Sequence, residues 1–427
     1  MRKIGHVVTR PGRTLGDAPV DIPVPQELET VPGIPQNSKD VSFYSREYPL
    51  QRQQVEHAAD TEWAHSVGTD EMQEYHHQHT GVMEPFYPLM NRSGDLEPTG
   101  TPTGEDVTEL IKNKARELGY LDVGITAHDR RYVYEDRRNH VKYPHAICLA
   151  LEQDYVGMQS APSMSAEHGH YGTYEIQAPM GLQMVDYIRS LGYHGQVHGP
   201  SNHSAATIPM FVQAGLGQLG ANGQLLTPHA GPRCRLQIIT TDAPVTYDHP
   251  VDYGFHAFCQ ICQVCVNRCP GRALSAEKVW WRGVEKNKLA YKRCRPVMIR
   301  YEGCAVCMKV CPINRYGAKA VMEHYLETGE VLGKGTPNLE GYTLHPEQSG
   351  QYVVGYFGPG ELPVFDAKFF DIPKGTRENA ALNELVKAVE TEDVASKPPE
   401  ADEALLKFRD RLRDIVHGEA VSDSTMF

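Results

Sequence analysis

The chain has 427 residues, 40% of them hydrophobic and 22% charged, enough for one large or two ordinary domains with a real core. Its 54 acidic residues outnumber 42 basic ones, and the formal net charge of -12 argues against nucleic-acid or anionic-membrane partners. No apolar run is long enough to span a bilayer. The opening segment MRKIGHVVTRPGRTLGDAP starts basic but has no apolar stretch behind it and no twin-arginine pair. Met1 is present, so the expectation is a cytoplasmic protein with reduced thiols.

Residues 1–100 are polar, rich in Pro and Gln and weakly periodic, and read as an extended arm that wraps the core or a partner. Within them EYHHQHTGVM carries His76, His77 and His79. Adjacent histidines are usually a solvated polar stretch, less often a metal site. From Thr103 the pattern changes. TGEDVTELIKNKARELGYLDVGIT predicts a helix capped by Thr103 and stopped by Gly119, then a strand. Val107, Leu110, Ile111, Ala115 and Leu118 share one face of that helix. HAICLALE predicts a second strand. PMGLQMVDYIRSLGYHG predicts a second helix, with Met180, Met184, Tyr187, Ile188 and Leu191 on one side and Gly192 at its end. RCRLQIITTD predicts a further strand. Helices alternating with strands imply a layered α/β (α+β) core over 101–254. A Cys-rich insert follows over 255–318. Residues 319–427 read as a loop-rich region packing on the core, ending in a charged helix near ALLKFRDRLRDIV.

Eight of the ten cysteines lie between Cys259 and Cys311, and such crowding in a reducing compartment favours metal over disulfides. Cys148 and Cys234 stand apart and read as inert. FCQICQVCVNRCPGRA contains C-x2-C-x2-C-x3-C-P, the run of bacterial two-cluster ferredoxins. CRPVMIRYEGCAVCMKVCP repeats the C-x2-C-x3-C-P half with its leading Cys moved upstream. In two-cluster proteins the fourth Cys of each run serves the other cluster. That rule assigns Cys259, Cys262, Cys265 and Cys311 to one 4Fe–4S cluster. It assigns Cys269, Cys294, Cys304 and Cys307 to a second. C-x2-C pairs also bind zinc, but zinc needs neither the Cys-Pro ending nor eight cysteines in this order. Such clusters move single electrons, so the remaining chain must hold the site that uses them.

Just upstream lies GPSNHSAATIPMFVQAGLGQLGANGQLLTPHAGPRCRLQIITTDAPV. With its AGLG turn, TP pair, GPR-x-R strand start and TD-x-P strand end, followed by two Cys runs, it resembles the reductive dehalogenase family. Epoxyqueuosine reductases share the core. The resemblance spans about residues 105 to 318. It implies a nitroreductase-like core that binds base-off cobalamin without a protein ligand to cobalt. It implies an inserted ferredoxin-like domain whose two clusters reduce cobalt to Co(I). The implied reaction removes halide from an organohalide, fed by an external ferredoxin, flavodoxin or reductase; a homodimer is left open. It also implies a tyrosine proton donor, a basic neighbour and an asparagine, matched here by Tyr174, Arg235 and Asn202. Tyr171 and Arg233 compete for the first two roles, and Asn202 also suits a plain turn or cap. Gly215, Gly217 and Gly220 either let backbone approach the corrin ring or are simply turn glycines.

The chain departs from the family at Gln218 and Ala221, and in reading TDAPV. It shows no twin-arginine leader and no fused reductase module. Two other functions compete. One is an epoxyqueuosine-reductase-like deoxygenation, which uses a carboxylate acid and a tRNA substrate. The other is a two-cluster electron-transfer protein without a catalytic pocket.

Overall fold

The computed structural model describes residues 69–370 except 134–136, 138, 200–202, 282–283 and 346–352. Most of the expected N-terminal arm, the expected charged C-terminal helix and Asn202 lie outside the described residues.

The first half contains helices α1 (Asp70–Met83), α2 (Tyr87–Asn91), α3 (Thr108–Leu118), α4 (Tyr155–Gln159), α5 (Met164–Ser190) and α6 (Ile208–Gln213). Its strands are β1 (Asp122–Ala127), β2 (His145–Glu152), β3 (Gly195–His198), the short pair β4 (Gln218–Leu219) and β5 (Leu225–Leu226), and β6 (Cys234–Thr241). The main sheet has the order β1-β2-β6-β3, and every neighbouring pair is antiparallel. The core is therefore α+β. Helix–strand alternation in a sequence reveals neighbours but not strand direction.

Strand β2 is apolar at almost every position because both faces of the sheet are covered. Ile147, Leu149 and Leu151 point one way, into a core with Ile111 and Ala115 of α3 and Met180, Met184 and Ile188 of α5. Ala146, Cys148 and Ala150 point the other way, against Met210, Phe211 and Val212 of α6. Each fully buried Ile or Leu contributes ~1.5–3 kcal/mol. A one-residue slip would exchange the two faces, so this packing fixes the register. Cys148 faces Gly124 and Ile238 across the sheet and is fully buried, as expected of an inert thiol.

Two helix boundaries differ from expectation. Helix α3 begins at Thr108, five residues after Thr103. Val107 is its N-cap, and the Asp106 carboxylate just before it accepts from the Thr108 N–H at 2.7 Å and the Thr246 hydroxyl at 2.6 Å. Gly119 does end the helix, with φ 99°. Leu110 is exposed, while Val107, Ile111 and Ala115 are buried. Helix α5 begins at Met164 under a Ser163 cap and runs straight through Pro179. Tyr174 therefore lies inside the helix instead of preceding it. Proline breaks helices only when the lost hydrogen bond and the ring clash are not outweighed by packing. Here α5 is sandwiched between the sheet and α1, with Gln177, Ala178 and Met180 all buried.

The cysteine unit contains α7 (Phe255–Cys262), α8 (Val264–Asn267), the hairpin β7 (Leu274–Trp281) and β8 (Val284–Leu289), α9 (Tyr291–Arg300), α10 (Val306–Lys309) and α11 (Pro312–Tyr316). Then come α12 (Ala318–Thr328), α13 (Pro337–Glu340) and the pair β9 (Tyr342–Leu344) and β10 (Gly355–Phe357). These later elements share one apolar core with the cysteine unit, where Val321, Met322, Leu339 and Tyr342 meet Phe258, Val306 and Ile313. Arg268, 1% exposed, ties them down by donating to the carbonyls of Glu340 and Phe357 at 3.2 and 3.0 Å. Among the described residues no helix is long and apolar enough to cross a membrane.

Candidate active site and cysteine centre

The two Cys runs fold alike. Each holds a C-x-V-C loop whose first x residue is left-handed, Gln263 at φ 53° and Ala305 at φ 54°. Left-handed backbone is costly away from glycine and marks positions that the surroundings over-determine. Its effect is the same in both loops. The Val264 N–H lies on the side of the Cys262 sulfur and the Val306 N–H on that of Cys304, where each favours the thiolate. The Ala221 N–H reaches Cys259, and the N–H groups of Ile313 and Asn314 reach Cys311.

Cys259, Cys262, Cys265 and Cys311 line one cavity together with Ala221, Asn222, Leu226 and Pro312. The fold thus carries Cys311 of the second run to the three cysteines of the first. Cys269, Cys294, Cys304 and Cys307 form a second neighbourhood, in which the charges of the others oppose ionisation of Cys294, Cys304 and Cys307. Burial pushes Cys259, Cys262 and Cys311 up to about 12 and Cys294 up to about 11, and raises Cys265, Cys304 and Cys307 as well. Thiolates at such depth need a compensating positive charge, of the kind a bound metal supplies. All ten cysteines are free thiols. Among the described residues no group of three or more His, Cys, Asp or Glu side chains is arranged to hold a single metal ion.

The other centre lies between α5 and β6. Arg235 places its guanidinium over the Tyr174 ring, 4.5 Å from the centroid. The two residues sit deep in the protein, yet each keeps a partly accessible surface. Arg235 Nε has no hydrogen-bond partner among the described residues, and neither polar atom of the Gln177 side chain, one turn along α5, has one. Buried donors and acceptors left open in this way suit a polar group lodged against them. Burial pushes Tyr174 up to about 12, and the Glu167 carboxylate adds to the rise. Burial also draws Arg235 down to about 9, while Glu167 holds it up. Even with Arg235 seated over the ring face, burial leaves Tyr174 protonated at neutral pH.

Arg233 and Tyr171 sit elsewhere. Arg233, 1% exposed, is ion-paired with Glu152 and donates to Asn314 Oδ1 at 3.1 Å, which joins the sheet to the cysteine unit. Tyr171 faces α1, its ring 4.4 Å from His76 and 4.7 Å from His79. Burial and Glu167 raise it too.

Helix α1 brings a set of partners that the sequence reading missed. His76 Nε2 meets Glu167 Oε1 at 2.7 Å, and His79 Nδ1 meets Glu175 Oε1 at 3.0 Å. These histidines are not a solvated stretch; they dock α1 on the carboxylates of α5. The only sequence signal was Glu167, His170, Tyr171 and Tyr174 at i, i+3, i+4 and i+7, a single helical stripe.

At the three glycines the protein's own atoms make the close approach. A Cβ on Gly215, at φ 74°, would meet the His249 carbonyl at 2.5 Å, and one on Gly217 would meet the Leu226 carbonyl at 2.3 Å. At Gly220 it would meet Asn222 Oδ1 and Leu226 at 2.8 Å. Gln218, a departure from the family pattern, holds the start of α7. Its Oε1 accepts from the N–H groups of Tyr253 and Phe255 at 2.9 and 3.0 Å.

The chain is similar to known proteins over this region. A tetrachloroethene reductive dehalogenase of Dehalobacter restrictus is 33% identical over 183 residues, 40% of this chain and 33% of that protein. An epoxyqueuosine reductase of Escherichia coli is 23% identical over 262 residues, 51% of this chain and 68% of that protein. The solved structure of the catabolic reductive dehalogenase NpRdhA, in complex with 3-bromo-4-hydroxybenzoic acid, superposes with a TM-score of 0.60 at 22% identity, covering 85% of this chain and 60% of that one. No family model matches the chain. The chain is thus similar in sequence to reductive dehalogenases and, at lower identity, to epoxyqueuosine reductases, and it shares its fold with a reductive dehalogenase. It spans less than two thirds of the length of the dehalogenases it matches.

Proposed function

We propose that the chain is a cobalamin-dependent reductive dehalogenase that removes halide from an organohalide with electrons relayed through two 4Fe–4S clusters. The observation that carries this reading is the placement of Arg235 over Tyr174, in an interior lined by open polar atoms. The two cysteine neighbourhoods, each with N–H groups aimed at sulfur, support the cluster assignment of Cys259, Cys262, Cys265 and Cys311 and of Cys269, Cys294, Cys304 and Cys307. A thiol-only donor set suits iron–sulfur chemistry. When bound, the corrinoid supplies a low-valent cobalt able to take halide from carbon, and the clusters supply electrons singly.

The chain's own residues then have defined tasks. Tyr174 holds a proton on Oη, and its rise to about 12 keeps that proton in place at neutral pH. The proton leaves for carbon only as negative charge builds there, and the Arg235 guanidinium stabilises the phenolate left behind. Arg235 also offers charge to a departing halide.

The test is Tyr174→Phe. The variant is expected to keep both clusters and to bind cobalamin, while turnover falls ~100-fold or more, the lower range for loss of a positioned acid. Turnover at the wild-type rate would remove Tyr174 as the donor.

A further inference from the structure

If Tyr174 gives a proton in each turnover, another must reach its oxygen before the next. Tyr174 is only partly accessible, with the Arg235 guanidinium over its ring, so a neighbouring side chain that carries protons would speed the return. One side chain stands in the right place. His170 lies one helical turn before Tyr174 on the same face of α5, its ring centroid 6.0 Å away. Its Nδ1 meets Glu167 Oε2 at 3.1 Å. An ionised carboxylate only accepts, so Nδ1 carries hydrogen and Nε2 is left to exchange protons. Glu167 is itself fixed, 3% exposed, with His76 of α1 on its other oxygen at 2.7 Å. His170 is 30% exposed, so its ring meets solvent as well as lying beside the tyrosine.

We propose that His170, oriented by Glu167, is the relay that returns a proton to Tyr174 after each turnover. In the step the Nε2–H bond of the imidazolium breaks and an O–H bond forms on the phenolate, directly or through one water. A cation and an anion become two neutral groups, and no electron moves. Nε2 then takes a proton from solvent while Nδ1 keeps its hydrogen on Glu167. The inference rests on the reading of Tyr174 as donor.

The other ionisable groups around Tyr174 do not serve. His79 is 6.4 Å away, but Glu175 holds it, it is only 10% exposed, and burial favours its neutral form. His168 packs edge-on to Tyr75 at 4.2 Å. Tyr75 and Tyr171 are raised by burial and hold their protons. Arg235 faces the ring as a fixed cation, Arg295 is near Tyr171, and Glu302 is near Glu167.

The experiment uses the full chain loaded with clusters and cobalamin. His170→Gln keeps a donor for Glu167 but cannot carry a proton. The first turnover, which uses the proton already on Tyr174, is expected at the wild-type rate, with later turnovers slowed ~10-fold or more. In His170→Ala, added imidazole should restore multiple turnover, and in Tyr174→Phe it should not. A second readout needs no turnover. The carbon-13 Cζ resonance of Tyr174, identified by its loss in Tyr174→Phe, should shift as His170 titrates, and the shift should vanish in His170→Gln. Equal slowing of first and later turnovers without rescue, unchanged turnover, or a surviving shift would each overturn the relay. If Tyr174→Phe turns over normally, the donor reading fails first. If Tyr174→Phe stops while His170→Gln does not slow, the relay alone fails.

Discussion

Replacing Arg233 by methionine tests how the sheet core and the cysteine unit are joined. The Arg233 and Glu152 side chains are 1% and 3% exposed, so their ion pair is out of reach of solvent screening. The guanidinium also donates to Asn314, three residues past Cys311, and lies 5.1 Å over the Tyr155 ring. Removing one partner of a buried pair typically costs ~3–5 kcal/mol, because the other charge keeps its desolvation penalty without the attraction. Against a usual stability of ~5–15 kcal/mol, that is roughly a fifth of the total or more. Replacing both partners with apolar residues removes the penalty as well, so Arg233→Met with Glu152→Met should recover most of the loss. Urea unfolding of the reconstituted single and double variants reads both values. A loss below ~1 kcal/mol for Arg233→Met, or a double variant no better than the single, would refute the argument.

The same logic gives a pH dependence. Burial, reinforced by Arg130, draws His128 down to about 4 from an unfolded value of 6.5, and neither ring nitrogen has a hydrogen-bond partner among the described residues. The unfolded chain binds the proton first on acidification, so the stability it contributes is complete above pH 6.5 and is lost as pH falls towards 4. The full effect is roughly 3 kcal/mol, and His128→Phe should flatten the unfolding profile over that window; parallel profiles would sink the assignment. For the clusters, Cys307→Ala is expected to reduce bound iron from about eight to about four per chain and to interrupt electron delivery. Wild-type iron content and steady-state rate in that variant would break the relay of electrons through the second neighbourhood.

The parts legible in the sequence are those where chemistry is written in local spacing. The C-x2-C-x2-C-x3-C-P run needs no tertiary information, and neither do the short apolar run HAICLALE or the glycine stop at Gly119. Other features depended on partners distant along the chain. The pairing of β2 with β6 is antiparallel because of where the connections run, which no residue in either strand encodes. The first half of α5 was missed because Gly169, Gly172 and Pro179 lower its helix propensity, while the packing of α1 that outweighs this comes from about 90 residues upstream. The roles of His76 and His79 were invisible for the same reason: their partners Glu167 and Glu175 are 91 and 96 residues away. The different surroundings of Arg233 and Arg235 were likewise not legible, since both flank the start of one strand and only the fold sends one to Glu152 and the other over Tyr174.

The most direct test is cofactor content. The full chain is reconstituted anaerobically with iron, sulfide and cobalamin, desalted, and assayed for iron and corrinoid. About eight irons and one cobalamin per chain are expected of a corrinoid enzyme served by two clusters. About eight irons with no retained cobalamin would contradict it, leaving a two-cluster electron-transfer protein in which Tyr174 and Arg235 have no catalytic task.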